Sequence, residues 1–339
     1  MLKTKLSIAI MLVAALSLLP APAAYAAGTT GSFTAGATPT VDSIEIFSEQ
    51  ACTNVVTAMD PQTEYWARVE VSIGSNQLSK LQTVQVTLFY DASGTHTPVP
   101  SSGNVHTCAI LTWTNGGSPE WNMDAGVTST WQLDTSAGGC EKPTLTGSSG
   151  YFKFAFIPGT VATMSTGSAD WDAQGKATRN PSQIGTLLLT GKDMNFYGEV
   201  SVTGTVDWGE VPLGLTYEDA ANPELITNVN YIANSTYNQE IKSSATWTGP
   251  TDNVTLDETV PAGDPPGGAG EFALKADDTA TLGTAVVVKA TTSTVINASG
   301  TITEEAGNNV GTNNLWLSLS TSGITAETYT GNIFYEISH

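Results

Sequence analysis

The sequence predicts an all-β protein in which two tandem β-sandwich domains follow a signal peptide. Short segments of alternating apolar and polar residues recur along the chain, separated by turns rich in Gly, Pro, Asn and Ser. Past the N-terminal segment we find no sustained helical apolar period. A length of 339 residues suits two domains of ordinary size.

The N-terminus has the three parts of a secretory signal peptide. Lys3 and Lys5 provide the positive region, residues 8–19 are apolar, and Ala24-Tyr25-Ala26 fits a signal-peptidase site. The apolar run is shorter than the ~20 residues that span a bilayer. We therefore expect residues 1–26 to be removed after export. Residues 27–40, small and rich in Gly and Thr, predict a flexible arm.

Residues 41–180 predict the first sandwich. In residues 65–73 the period of two places Tyr65, Ala67, Val69, Val71 and Ile73 on one buried face. Phe152, Phe154 and Phe156 share a face in the same way. The predicted strands are 41–47, 65–73, 84–90, 109–113, 130–133, 151–156 and 169–177.

Residues 185–339 predict the second sandwich, after a junction at residues 178–182. Its strands are expected at 185–190, 196–202, 205–208, 228–232, 241–247, 270–276, 285–289, 294–302, 315–319 and 329–337. The seven short strands predicted in residues 41–180, separated by turns, are typical of an immunoglobulin-like sandwich, and the second series again suggests a sandwich.

The acidic composition limits the partners. The net charge is −20, with 12 basic and 32 acidic residues, so the basic patches that bind nucleic acid are missing. No later segment is apolar enough to span a membrane. We expect a secreted or cell-surface protein that associates with itself, with other surface proteins or with glycans.

The chain has three cysteines, so one thiol remains unpaired if the other two form a disulfide after export. Cys108–Cys140 is the preferred disulfide, because it would close a loop of roughly 30 residues and stabilise the fold by about 3 kcal/mol. Cys52–Cys108 is the rival pair. The sequence contains no CxxC motif, so a zinc or redox role for the cysteines is not expected.

The sequence offers no catalytic motif, and we expect no enzyme. The histidines are His96, His106 and His339. The first two lie in a loop rich in Gly, Ser and Pro, which predicts no rigid geometry. Paired carboxylates that meet in space, as in glycosidases, remain an alternative in so acidic a chain.

A calcium site is the one metal hypothesis. Asp170, Asp172 and Gln174, followed by Gly175, occupy the first positions of a calcium-binding loop, but Pro181 stands where the loop needs Glu. The alternative for this segment is a strand edge and turn. No other cofactor is expected.

Two features suggest that the protein binds glycans or carries them. Trp121 lies in a turn-rich stretch and is the best candidate for stacking on a sugar, although most tryptophans of a sandwich lie in its core. Asn234, Asn253 and Asn297 each begin an Asn-x-Ser/Thr acceptor triplet, a frequency that chance also explains.

Several short motifs resemble those of secreted two-sandwich surface proteins of bacteria and archaea. They are Pro39–Ile44, Tyr65-Trp66, Leu111–Trp113 and Ala169–Asp172. The segment Thr328–Ile337 resembles the closing strand of surface and fimbrial sandwiches.

The same segment also resembles the wall-binding WxL domain. That domain has Trp-x-Leu where this chain has Tyr335-Glu336-Ile337, and Trp316-Leu317-Ser318 also breaks the pattern. Peptidoglycan binding is therefore not carried over.

These observations favour a non-catalytic structural protein of the cell surface, such as a coat, S-layer-like or filament subunit, or an adhesin-like module. The alternative is a secreted module that binds a glycan or a protein partner. A glycoside hydrolase or its accessory domain is third.

Overall fold

The computed structural model describes residues 36–74, 77–219, 224–260, 265–296 and 307–339, the side chains of 307–310 excepted. Within these ranges the chain is all-β, with no α-helix and one 3₁₀ turn at Leu78–Lys80. The predicted signal peptide, Asn297 and most of the predicted arm lie outside the described residues.

Ten strands build the first pair of sheets. They are β1 (Thr40–Phe47), β2 (Ala58–Met59), β3 (Tyr65–Ser72), β4 (Thr83–Asp91), β5 (Cys108–Thr114), β6 (Trp121–Met123), β7 (Gln132–Asp134), β8 (Ser149–Ile157), β9 (Asp170–Asn180) and β10 (Gln183–Met194). Sheet 1 has the order β1-β3-β8-β7, and sheet 2 has the order β2-β10-β9-β4-β5-β6.

The core of this half lies between sheets 1 and 2. The predicted buried face of β3, from Tyr65 to Ile73, is confirmed, and so is the buried face that Phe152, Phe154 and Phe156 share on β8. Trp113 and Trp171 reach this core from sheet 2. Period-two alternation thus gives both sheets one apolar face, and their burial holds the pair together.

The second half contributes a further ten strands. They are β11 (Gly198–Val202), β12 (Leu225–Ala233), β13 (Asn238–Ser243), β14 (Thr246–Thr248), β15 (Asn253–Leu256), β16 (Glu271–Asp277), β17 (Val286–Val287), β18 (Thr294–Val295), β19 (Gly307–Leu319) and β20 (Ile333–Ser338). Sheet 3 has the order β11-β12-β19-β16-β15-β14, with β17 beside β16, and sheet 4 has the order β18-β13-β20. A second core, with Tyr231, Ile241, Phe272 and Leu315, lies between them.

The segment after the expected junction belongs to the first pair of sheets. Strand β10 pairs with β9 along most of its length. Residues 181–182 form a tight turn, in which the Asn180 side chain accepts from the backbone N–H of Ser182 at 3.0 Å. Asn, Pro and Ser suit a hairpin turn as well as a linker, so composition does not separate the two. The chain changes sheets between Met194 and Gly198 instead.

Candidate metal centre

Three aspartates project from the outward face of sheet 2, where β4 ends and β9 begins. Asp91 lies directly opposite Asp170 in the antiparallel register, and Asp172 lies two residues further along β9. The period of two sends Trp171 to the other face, where it is fully buried and its Nε1–H donates to the Thr163 carbonyl at 2.8 Å. Core packing of Trp171 therefore fixes the direction of both neighbouring carboxylates.

The loop after β4 brings His96 to these aspartates. His96 adopts a left-handed backbone conformation, with φ 60°. Its backbone N–H donates to Asp91 Oδ2, and Asp91 Oδ1 accepts from the N–H of Ser93 at 2.9 Å and its hydroxyl at 2.8 Å. The Nδ1 atom of His96 lies 2.9 Å from Asp172 Oδ2 and 3.5 Å from Asp91 Oδ2.

One ligand atom from each of Asp91, His96 and Asp172 lies within 4.8 Å of the other two. Asp172 is 1% exposed and Asp91 is 7% exposed, whereas His96 reaches solvent. The three residues thus form a cluster with a buried acidic floor and a partly open imidazole side.

The environment shifts the pKa values of this cluster in different directions. The hydrogen bond to Asp172 raises the pKa of His96. Hydrogen bonds to the Asp91 carboxylate, first from the backbone N–H of His96 and then from the backbone and hydroxyl of Ser93, lower the pKa of Asp91 to about 2. Burial, followed by the charge of Asp172, raises the pKa of Asp170. Hydrogen bonding therefore favours charge on Asp91, while desolvation opposes it on Asp170.

One carboxylate oxygen of the cluster and one of the neighbouring Asp170 lack a hydrogen-bond partner among the described residues. These are Oδ1 of Asp172 and Oδ1 of Asp170, both buried. A buried polar atom without a partner costs about 1–3 kcal/mol, and more for a charged group. The arrangement thus has spare ligand capacity at its most buried point.

An imidazole nitrogen beside carboxylates is a donor set for a divalent cation such as Zn²⁺. A hydrolytic arrangement is less well supported. The Ser93 hydroxyl donates to Asp91 and is hydrogen-bonded to the Thr95 hydroxyl. Within the described ranges no hydroxyl donates to the imidazole of His96. The geometry therefore fits ion binding better than nucleophilic catalysis.

The predicted calcium loop does not form. Residues Asp170–Asn180 are a strand, in which alternate residues lie about 7 Å apart. Gln174 pairs with Thr87, two positions beyond Asp172, and is not part of the cluster. An extended segment cannot curl around one ion, and Asp170 and Asp172 meet Asp91 and His96 instead.

The predicted Cys108–Cys140 disulfide is absent, and so is the rival Cys52–Cys108 pair. All three cysteines are free, and no two lie at disulfide distance. Cys108 packs with Phe89 and Ile110 on the outward face of sheet 2. Cys140 lies beside sheet 1, where its Sγ is 3.9 Å from the Ala155 carbonyl. The two thiols belong to different sheets.

The acceptor asparagines differ in their surroundings. Asn253 is exposed at the start of β15, as an acceptor must be. Asn234 is fully buried, and its amide donates to the carbonyls of Ala162 at 2.9 Å and Asn195 at 2.8 Å. A glycan would replace one of these two N–H hydrogens, and both donate inside the protein, so Asn234 is not an acceptor in the folded chain.

Trp121 is not an exposed platform. It lies half-buried on β6 and packs edge-on against Phe154 with ring centroids 5.1 Å apart. It is therefore part of the first core, as the alternative interpretation holds.

A concave site in the second half gathers other aromatic residues. The cavity has a volume of about 630 Å³, within the usual range for small-ligand pockets. The rings of Trp208 and Trp247 lie 6.1 Å apart in its wall. Its lining includes Phe272, Tyr329, Asp207 and Glu327.

Comparisons with known proteins give no family assignment. No protein-family model matches this sequence, and no curated protein matches it. In the part of the chain that the structure describes, no helix has the length and apolar character to cross a membrane.

Asp91 and His96 are the site residues that sequence reasoning missed. A histidine in a loop of Gly, Ser and Pro suggests no fixed geometry, and the sequence does not show that β4 and β9 are neighbours. The sequence does place Asp91 just after the end of one predicted strand, 84–90, and Asp170 near the start of another, 169–177. Antiparallel pairing of those strands brings the two ends together.

Proposed function

We propose that this chain is an exported, non-catalytic structural protein of the cell surface, built as two immunoglobulin-like sandwiches and assembled by strand addition. The open edge of β10 supports this proposal best. Among the described residues, the partner of that edge is β2, which pairs only with Asp193 and Met194. Within the described ranges, residues 184–192 of this edge have no strand partner.

The chemistry of this edge favours association. No charged residue occurs from Gln183 to Gly191, and Ile184 and Leu187 are 41% and 37% exposed. Register irregularities lie at the two ends of the strand, so residues 184–189 form a regular stretch. Exposed edges usually carry charge, Pro or a bulge that prevents pairing, and this stretch carries none of them. An added strand would find free backbone groups and apolar side chains.

The predicted arm supplies the added strand in this proposal. Thr40 already belongs to β1, and the Ala37 carbonyl accepts from Arg179 at 3.2 Å. Removing residues 27–35 therefore leaves every described contact intact. We expect residues 27–339 to form filaments or sheets in negative-stain electron microscopy, and residues 36–339 to remain isolated particles.

A matched pair of variants tests the edge itself. Leu187→Lys places a charge on the edge strand and should abolish assembly. Ile226→Lys places the same charge on β12, where Ile226 is 63% exposed and pairs with Asn314 of β19. This control should still assemble. Isolated particles from residues 27–339, or polymers from Leu187→Lys, would contradict strand addition at β10.

The second candidate function is a module that binds a glycan or another surface partner. The cavity beside Trp208 and Trp247 favours it, because aromatic faces with nearby carboxylates suit sugar rings. Isolated particles whose tryptophan fluorescence is quenched by one member of a glycan panel would support this function over assembly.

A further inference from the structure

We propose that Asp91, His96 and Asp172, with Asp170 beside them, bind one divalent transition-metal ion of the zinc class. The inference is independent of the assembly proposed above. It assigns a ligand to the loop that connects β4 and β5, and it gives that loop a fixed attachment to β9.

Two of the ligand–ligand distances are close to those around such an ion. Ligands about 2.0–2.2 Å from a tetrahedral Zn²⁺ lie roughly 3.3–3.6 Å from one another. The 3.5 Å separation of His96 Nδ1 and Asp91 Oδ2 already matches this value. The 2.9 Å separation of His96 Nδ1 and Asp172 Oδ2 is a hydrogen-bond length and would lengthen by a few tenths of an ångström as the ion replaces the proton.

The unpartnered oxygen of Asp172 points to a ligand. Asp172 is 1% exposed, and its Oδ1 has no hydrogen-bond partner in the described part of the chain. One of its two oxygens is thus paired with His96 while the other is buried without compensation. An ion held by Asp172 would neutralise a charge that is otherwise expensive to bury.

The local charge favours a cation. Asp91, Asp170 and Asp172 lie together, and among the described ion pairs of these aspartates the partner is His96 alone. The nearest lysine on the neighbouring strand, Lys192, donates instead to Glu45 and to the Val56 carbonyl, both at 2.7 Å. A divalent ion would offset this uncompensated negative charge.

The imidazole selects the class of ion. Ca²⁺ and Mg²⁺ prefer oxygen ligands, whereas imidazole nitrogen suits Zn²⁺ and other transition ions. The left-handed backbone of His96 turns both its N–H and its Nδ1 toward the aspartates. The loop is therefore shaped to contribute a nitrogen ligand to an otherwise acidic site.

Titration calorimetry on residues 27–339, stripped with a chelator, tests this site with Zn²⁺ and Ca²⁺ as probes. We expect one saturable Zn²⁺ site and an increase of the melting temperature with Zn²⁺. Asp172→Asn and His96→Gln should weaken Zn²⁺ binding at least tenfold and remove that increase. Asp42→Asn, an exposed aspartate on β1, should leave both unchanged.

Each alternative outcome overturns the assignment. Equal Zn²⁺ affinity in both ligand variants would place the ion elsewhere, for instance on other carboxylates, which all variants share. Tighter binding of Ca²⁺ than of Zn²⁺ would refute the class of ion, and absence of binding would refute the site. Because the His96 side chain is 36% exposed whereas that of Asp172 is fully buried, His96→Gln should fold even where Asp172→Asn does not.

The metal test remains separate from the assembly test. Leu187→Lys, which should not polymerise, should bind Zn²⁺ like the unmodified chain. Loss of assembly without loss of Zn²⁺ binding would leave this inference intact, and the reverse result would leave the proposed function intact.

Discussion

His96 occupies a backbone region that few residues other than glycine adopt, although His is among the exceptions. Such a conformation costs on the order of 1–3 kcal/mol and persists where surrounding contacts hold it. Here the contacts are the bond from its N–H to Asp91 and the approach of its Nδ1 to Asp172. Strain in the loop and the position of the imidazole therefore have one cause.

The cysteines carry the first prediction at this scale. Burial raises the pKa of Cys108 and of Cys140 to about 12, and it also raises the pKa of Cys52. Since the thiolate is the reactive form, native protein at pH 8 should react slowly with iodoacetamide. In urea, all three thiols should react quickly, as intact mass would show.

The same measurement tests the disulfide. Protein that is unfolded without reductant should still take up three alkyl groups. Uptake of only one group would show that two cysteines are oxidised to a disulfide. Rapid labelling of Cys108 in native protein would show that the loop between β4 and β5, whose Val99 packs against the cluster containing Cys108, opens.

At the scale of elements, Asn234 connects segments that are distant in sequence. It follows β12, and its amide bonds to the segment that precedes β9 and to the residue after β10. Its Oδ1 accepts from the N–H of Tyr197 at 2.7 Å, just before β11. One buried side chain thus satisfies three backbone groups where the chain passes from sheet 2 to sheet 3.

Replacement of Asn234 by Ala should therefore destabilise the protein strongly. It leaves two carbonyls and one N–H without their partner, at about 1–3 kcal/mol for each group that water does not reach. Urea unfolding should show a lower midpoint, and the junction of β10 and β11 should lose protection from hydrogen exchange. Asn253→Ala, on an exposed acceptor, is the matched control. An unchanged midpoint for Asn234→Ala would mean that water replaces the amide.

Individual strands are predictable from sequence where one face is buried. Tyr65–Ile73 and the phenylalanines of β8 alternate strictly, so the sequence defines both the strand and its inward face. Strand order is not local information. The hairpin at residues 181–182 looks like a linker, and the approach of Asp91 to Asp170 depends on a pairing across almost 80 residues. The candidate site was therefore visible only in part, through Asp170 and Asp172.

At the scale of the whole molecule, charge decides the response to acid. The net charge of −20 predicts self-repulsion at neutral pH, which protonation would relieve. Several carboxylates, however, make hydrogen bonds that hold their pKa values low. Glu120 and Glu141 bond to Lys142 and Lys153, and Glu336 bonds to Lys242 and Ser293. Salt at 0.15 M screens the repulsion beyond about 8 Å, whereas these contacts are much shorter.

Acid should therefore destabilise the fold at physiological ionic strength. A carboxyl whose pKa is lower in the folded chain than in the unfolded chain stabilises the fold above its unfolded value, near 4.5 for Glu. That contribution is lost as the pH falls from about 4.5 through the lower folded value, because the unfolded chain binds the proton first. Thermal melts should give a melting temperature that does not fall from pH 7 to about pH 5 and that decreases below pH 5. Glu336→Gln should lower the melting temperature at pH 7 and make the decrease shallower, since one of the linked carboxyls is gone. A melting temperature that rises on acidification in 0.15 M salt would show that relief of charge repulsion outweighs the loss of these hydrogen bonds.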